Sequence, residues 1–252
     1  MELDVRKIAY RLVSHRFPEA RAAWLGGSAA DGTGTVTSDL DITVLLAGAP
    51  APYRESVFYG GWPVELFVQT EESIHWFCAT ERRSGKPTTR RLIGAATILV
   101  DRDGSAARLQ DACLTELEAG PDPLPEERLA DMRYRVGTLL DDLSGGGPES
   151  EQLLVATELW RATLELLLAG HGRWLGAGKW LHREAVTYDQ QAGTDYAETL
   201  ARAVRTVAEG AVEPLIAVVS EVLELVGGPL FDGYRVEGPG PARTSASSAS
   251  AE

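Results

Sequence analysis

The spacing of apolar positions changes several times along the chain. Over residues 2–17, Leu3, Ile8, Leu12 and Val13 recur at roughly helical intervals and Pro18 closes the segment, which predicts an amphipathic helix. The short continuous run Ala22-Ala23-Trp24-Leu25 predicts a buried strand and ends in Gly26-Gly27-Ser28. A polar stretch over 31–38, broken by Gly32 and Gly34, predicts a loop. Apolar residues return over 39–47 as a second strand. After a turn at 48–52, Ser56–Tyr59 and Pro63–Gln69 flank Gly60-Gly61, a hairpin signal. Thr70 stands as N-cap to a helix reaching about Arg83, with Ser73 where a capping box would carry Glu. Residues 95–100 predict a short buried strand, and 105–119 a helix.

Pro121, Pro123 and Pro125 then interrupt the chain, and beyond them the pattern is helical throughout: 126–143, 150–169, 180–188, 195–209 and 214–226. Leu153, Leu154, Thr157, Trp160, Leu164, Leu167 and Leu168 trace one broad buried stripe, as in a helical bundle with short connections. Strands first and helices after predict an α+β chain. The proline-rich stretch predicts a boundary between a strand-bearing domain, 1–122, and a helical bundle, 123–237. Residues 238–252 are Gly/Pro-rich, then Ser/Ala-rich, a composition that predicts a disordered tail.

Composition narrows the function classes. The 252 residues are ample for a core, and no apolar run has the length of a membrane helix. The segment MELDVRKIAYRL lacks the shape of a signal peptide. Cys78 and Cys113 form no metal or disulfide pattern, and the plain reading is a reducing cytoplasm. A formal charge of −13 counts against nucleic acid as partner and suits a cationic small substrate.

The candidate chemistry gathers around the second strand. Side chains two apart on a strand share a face, so Asp39 and Asp41 present adjacent carboxylates, with Leu40 free to enter the core. Two such charges repel, and the pair asks for a divalent cation. Upstream, Gly26-Gly27 allows close approach of backbone to a phosphate, and Ser28 adds a hydroxyl. Glu65 alternates with Val64 and Leu66; by itself it reads as a solvated residue, and the upstream pair turns that reading towards a ligand. Asp101-Arg102-Asp103-Gly104 repeats the acidic spacing without the preceding glycines and serine, and reads as a turn.

Gly26-Gly27-Ser28, a ten-residue spacer, Asp39-x-Asp41 and then Glu65 together resemble the nucleotidyltransferase superfamily. That fold is shared by DNA polymerase beta and small antibiotic-modifying enzymes such as kanamycin and lincosamide nucleotidyltransferases, and the resemblance covers residues 20–70. It implies a mixed sheet flanked by helices and two magnesium ions held by Asp39, Asp41 and Glu65. It implies ATP or another nucleoside triphosphate, with Gly27, Ser28 and Ser38 as nucleotide-binding residues. The reaction implied is transfer of a nucleoside monophosphate, AMP foremost, to a hydroxyl of a small molecule such as an aminoglycoside-like antibiotic, with release of pyrophosphate. Glu65, or one of Asp141, Asp142, Glu158 and Glu165, would be the base. A homodimer is among the assemblies that the resemblance allows. A protein- or RNA-modifying antitoxin-type enzyme and a catalytically inactive nucleotide-binding module are the alternatives.

Two basic stretches carry competing readings. Arg82, Arg83, Lys86, Arg90 and Arg91 read as a solvated helix end, with Lys86 or Arg90 as candidate phosphate contacts. His171 to Arg183 holds three glycines and two tryptophans, and is either a ligand wall or a helix–helix turn anchored by Trp174 and Trp180. The resemblance makes Lys179 the candidate for touching phosphate from the helical domain. His171 and His182 read as polar cleft or surface residues, since magnesium prefers oxygen.

Overall fold

The computed structural model describes residues 5–27 and 38–238. Ser28, nearly all of the predicted 31–38 loop and the tail beyond residue 238 lie outside the described residues. Among the described residues five strands form one sheet: β1 (Ala22–Gly26), β2 (Leu40–Leu45), β3 (Tyr53–Tyr59), β4 (Trp62–Gln69) and β5 (Thr97–Asp101). Their order is β3-β4-β2-β1-β5. β2 runs parallel to β4 and the other neighbours are antiparallel, so the sheet is mixed and the chain α+β.

Alternation along the strands divides the sheet's two faces. Leu40, Ile42, Val44, Val64, Leu66 and Val68 point to one face, where α1 (Val5–Arg16) covers them with Ile8, Ala9, Leu12 and Val13. Trp24, Leu45, Ile74, Ile93 and Leu109 form a second core on the opposite side, under α2 (Glu71–Ser84), α3 (Thr88–Gly94) and α4 (Ser105–Ala119). Cys78 and Cys113 are free and buried there.

Local chemistry explains the element ends. Thr70 and Ser73 close a reciprocal capping box: Ser73 N–H donates to Thr70 Oγ1 at 3.1 Å and Thr70 N–H to Ser73 Oγ at 2.9 Å. Gly85 ends α2 in the left-handed region at φ 71°. The second Asp-x-Asp is structural. Asp101 accepts from the Ala106 and Ala107 amides and Asp103 from Ser105, capping the start of α4.

Several expectations are corrected. β2 begins at Leu40 and ends at Leu45, leaving Asp39 just ahead of the strand. β3 starts at Tyr53, three residues earlier than its pattern predicts. β5 is half-buried at the sheet's edge, where among the described residues only β1 pairs with it. Helix α3 lies where the sequence reads as a solvated basic end. There Arg90 is 1% exposed, paired with Glu81 and Glu116, and donates to the Cys78 carbonyl at 2.6 Å. A buried guanidinium persists only with such partners.

The remaining helices are α5 (Glu126–Ser144), α6 (Glu149–Gly170), α7 (Lys179–Ala192), α8 (Tyr196–Val207) and α9 (Glu213–Leu225), and they share one apolar core. α7 extends past its expected end because Asp189, buried inside it, accepts from the Ala197 amide at 2.7 Å and so anchors α8. The bundle docks on the sheet half through the 174–184 region. Leu175 N–H donates to the Gly85 carbonyl at 2.7 Å, and Trp174 Nε1 to the Leu117 carbonyl at 2.8 Å. Trp174 is buried under the Arg90 guanidinium, 5.4 Å from its ring centre, and is a core anchor. No helix among the described residues is long and apolar enough to cross a membrane.

Candidate active site

Strand register brings the acidic residues together. In the antiparallel β1–β2 pair Gly26 lies opposite Asp41, and in the parallel β2–β4 pair Asp41 lies opposite Glu65. Leu40 and Ile42 take the α1 side, so Asp41 and Glu65 both take the other. Asp39 joins them from the entry to β2. One carboxylate oxygen from each of Asp39, Asp41 and Glu65 lies within 4.8 Å of the other two, and all three residues are half-buried.

That crowding shows in the electrostatics. The Asp41 carboxyl is pushed up to about 6, first by burial and then by the charges of Asp39 and Glu65. Lys179 and Arg54 pull it back down. Arg54 is a site residue that the sequence reading missed. It stands on β3, pairs with Glu65 and lies 5.0 Å over the Phe67 ring. Its one sequence signal is the alternation of Tyr53-Arg54-Glu55-Ser56, which becomes informative only once the hairpin register sets Ser56 opposite Glu65.

Gly27 has a role beyond the one anticipated. Its φ is +66°, and a Cβ there would stand 2.0 Å from Asp41 Oδ2. The carboxylate is thus seated against a bare backbone. At Gly26 a Cβ would come 3.0 Å from the Leu92 carbonyl, so α3 packs close against β1. Ser38 is half-buried immediately before Asp39.

A cavity of about 530 Å³ opens over the acidic cluster, between the sheet, α3 and the segment leading into α7. Asp41, Glu65, Arg54 and Gly27 line one wall, and Lys86, Arg91, Leu175 and Trp180 line others. Arg91 pairs with Glu184 of α7 and lies 4.8 Å over the Trp180 ring. Burial works against both charges, lowering the Arg91 pKa and raising that of Glu184, while each attracts the other. A second cavity of about 500 Å³ adjoins the first through Lys86, Gly176 and Ala177. Lys179 lines this second cavity, and its charge still reaches Asp41.

The other expected residues scatter. Arg90 is sealed in its ion pairs and faces neither cavity. Asp141 and Asp142 are exposed on α5 and line neither cavity. Glu165 pairs with Arg161 at 3.0 Å, and Glu158 reaches the second cavity while bonded to Arg135 at 2.9 Å. His171 bonds the Leu167 carbonyl, and His182 faces Glu198 at 3.4 Å; neither joins a metal-ligating group among the described residues.

No protein-family model and no curated protein matches the chain. Among solved structures it is similar to a nucleotidyltransferase-like protein from Exiguobacterium sibiricum 255-15. The identity is 13%, the match covers 88% of this chain and 74% of that one, and the TM-score is 0.39.

Proposed function

We propose that the protein transfers a nucleoside monophosphate from a nucleoside triphosphate, ATP foremost, to a hydroxyl of a small molecule and releases pyrophosphate. The observation that carries this reading is the convergence of Asp39, Asp41 and Glu65, with Asp41 and Glu65 lining a cavity large enough for a nucleotide and part of an acceptor. The motif Gly26-Gly27-Ser28 through Asp41 supplies the resemblance, and Gly27 pressed against Asp41 ties its two halves together.

The cluster fits a hard divalent cation. Its donors are all carboxylate oxygens, and their mutual repulsion is what a cation relieves. When bound, magnesium would neutralise phosphate charge and polarise the α-phosphorus. Asp39, Asp41 and Glu65 would hold it. Lys179 adds positive charge on the Asp41 side, where it would meet the phosphates. The acceptor oxygen bonds to the α-phosphorus while the bond from that phosphorus to the bridging oxygen breaks. Glu65 takes the hydroxyl proton. The two cavities form the cleft in which we place nucleotide and acceptor, between residues 1–122 and the helices of 123–237. Positioning and charge provide most of the rate enhancement.

The test is incubation with each α-labelled nucleoside triphosphate, magnesium and a panel of hydroxylated small molecules. Labelled acceptor and stoichiometric pyrophosphate are expected. Asp39→Asn and Glu65→Gln should each lower kcat/KM by at least about a hundredfold, roughly 3 kcal/mol. Near-normal turnover in either variant overturns the assignment.

A further inference from the structure

We infer that Cys78 and Cys113 form a reversible disulfide when the protein meets a hydroperoxide, and that the bond pins the seam between the sheet half and the helical bundle. Neither part depends on the transfer reading.

The spacing of the two cysteines in sequence suggests no such pair; the fold makes it. β4 and β5 run the same way in the sheet, and α2 and α4 follow them back on one side of it. Cys78 lies on the buried face of α2 with Ile74 and Glu81, and Cys113 on the buried face of α4 with Ala106 and Leu109. Helix α3 touches both. Arg90 Nη1 donates to the Cys78 carbonyl at 2.6 Å, and a Cβ on Gly94 would stand 3.3 Å from the Cys113 carbonyl carbon. Arg90 also pairs with Glu81 and Glu116, each three residues beyond the cysteine of its helix and on the same face. One turn back along each helix, Cys78 and Cys113 therefore face each other, and the Cys113 thiol donates a hydrogen bond to the Cys78 sulfur.

That bond lowers the Cys78 pKa against the cost of burial, with the Arg90 guanidinium helping; the same bond and burial raise that of Cys113. Cys78 is thus the attacking thiolate. Its sulfur bonds to one peroxide oxygen as the O–O bond breaks, and the departing hydroxide takes up the proton Cys78 gave up. A sulfenic acid remains on Cys78. The Cys113 sulfur then bonds to the Cys78 sulfur, the S–O bond breaks, and hydroxide leaves as water with the Cys113 proton. Two thiols are oxidised and the peroxide is reduced to water. Because both cysteines are buried, a small neutral oxidant reaches them where a protein disulfide does not.

The bundle hangs on the ends of the same two helices. Leu175 N–H donates to Gly85, the residue that caps α2, and Trp174 Nε1 donates to Leu117 of α4. Opening the seam breaks a bond on each helix, and movement of α2 against α4 makes that easier. A cross-link removes the movement.

Intact mass and peptide mapping after alkylation in denaturant read the bond directly. Reduced protein should alkylate at both cysteines. After stoichiometric hydrogen peroxide it should alkylate at neither, weigh two hydrogens less and yield a peptide pair joined through Cys78 and Cys113, all reversed by dithiothreitol. In Cys113→Ser, dimedone should trap a sulfenic acid on Cys78; in Cys78→Ser, Cys113 should stay a thiol. Survival of both thiols in the wild type overturns the proposal, as do sulfinic acids without a cross-link, or cross-links only between molecules. Hydrogen exchange at the Leu175 amide and the Trp174 indole should slow at least about threefold in the oxidised protein. A cross-linked protein whose seam exchanges as fast as before overturns the pinning.

Discussion

Asp41→Asn is expected to stabilise the metal-free protein while removing its chemistry. In the fold the Asp41 carboxyl is raised from 3.8 to about 6 by burial and by the neighbouring charges of Asp39 and Glu65. A carboxyl whose pKa rises on folding holds its proton more tightly folded than unfolded. Its contribution to stability is therefore full below about pH 4, falls as pH rises through about 6, and is gone above about 7. A shift of about two pK units corresponds to about 3 kcal/mol at most. Partial solvent access to the site reduces this to about 1–2 kcal/mol. Asparagine keeps the shape of the side chain against Gly27 and discards the charge. In chelator at about pH 8, the variant should melt about 2–6 °C above the wild type. Near pH 4 the two should melt together, because the wild-type carboxyl is protonated in the fold. Adding manganese should raise the wild-type melting temperature by mass action and leave the variant unmoved, inverting the order. A variant that melts below the wild type at high pH without metal would refute the account, and so would a gap that does not change with pH.

Gly27→Ala should weaken manganese binding at least about tenfold, since its Cβ would stand 2.0 Å from Asp41 Oδ2; titration with manganese and a paramagnetic readout checks it. Lys179→Ala removes a charge that holds the Asp41 pKa down, so the acid limb of the pH–rate profile should move to higher pH, and the KM for nucleotide should rise. Arg90→Ala leaves Glu81 and Glu116 without their shared cation and should cost about 3–5 kcal/mol, read from urea unfolding.

Local rules are enough to place much of this chain. A capping residue, a glycine pair or a period of two or 3.6 acts within a few residues, and Thr70 and the Gly60-Gly61 hairpin follow from such rules directly, whereas the stripe expected along α6 is buried at Leu164, Leu167 and Leu168 and exposed at Leu154 and Thr157, where Ala156 and Leu159 turn inward instead. The acidic cluster was legible for the same reason. Alternation pairs Asp39 with Asp41, and the resemblance carried by Gly26-Gly27-Ser28 and Asp39-x-Asp41 points to Glu65. Helix α3 was not legible, because seven residues starting at Thr88 carry too short a period to register, and its Arg90 looks like any surface arginine until Glu81 and Glu116 close around it.

Alternation and periodicity, both properties of contiguous sequence, determined the α+β order of elements, and the resemblance carried by the glycine–serine and acidic motif pointed to the three carboxylates. Register and packing decided the rest. Asp41 meets Glu65 because β2 and β4 run parallel, 24 positions apart in sequence, a pairing no local pattern encodes. Arg54 reaches Glu65 only through the hairpin's alignment, and Lys86 comes to lie between two cavities only because the bundle docks through Leu175 on Gly85. Charge exposes the difference most clearly. An acidic total of −13 is additive along the chain, whereas the compensation of Glu65, Glu184 and Glu158 by Arg54, Arg91 and Arg135 is a matter of a few ångströms, and only the folded chain sets those distances.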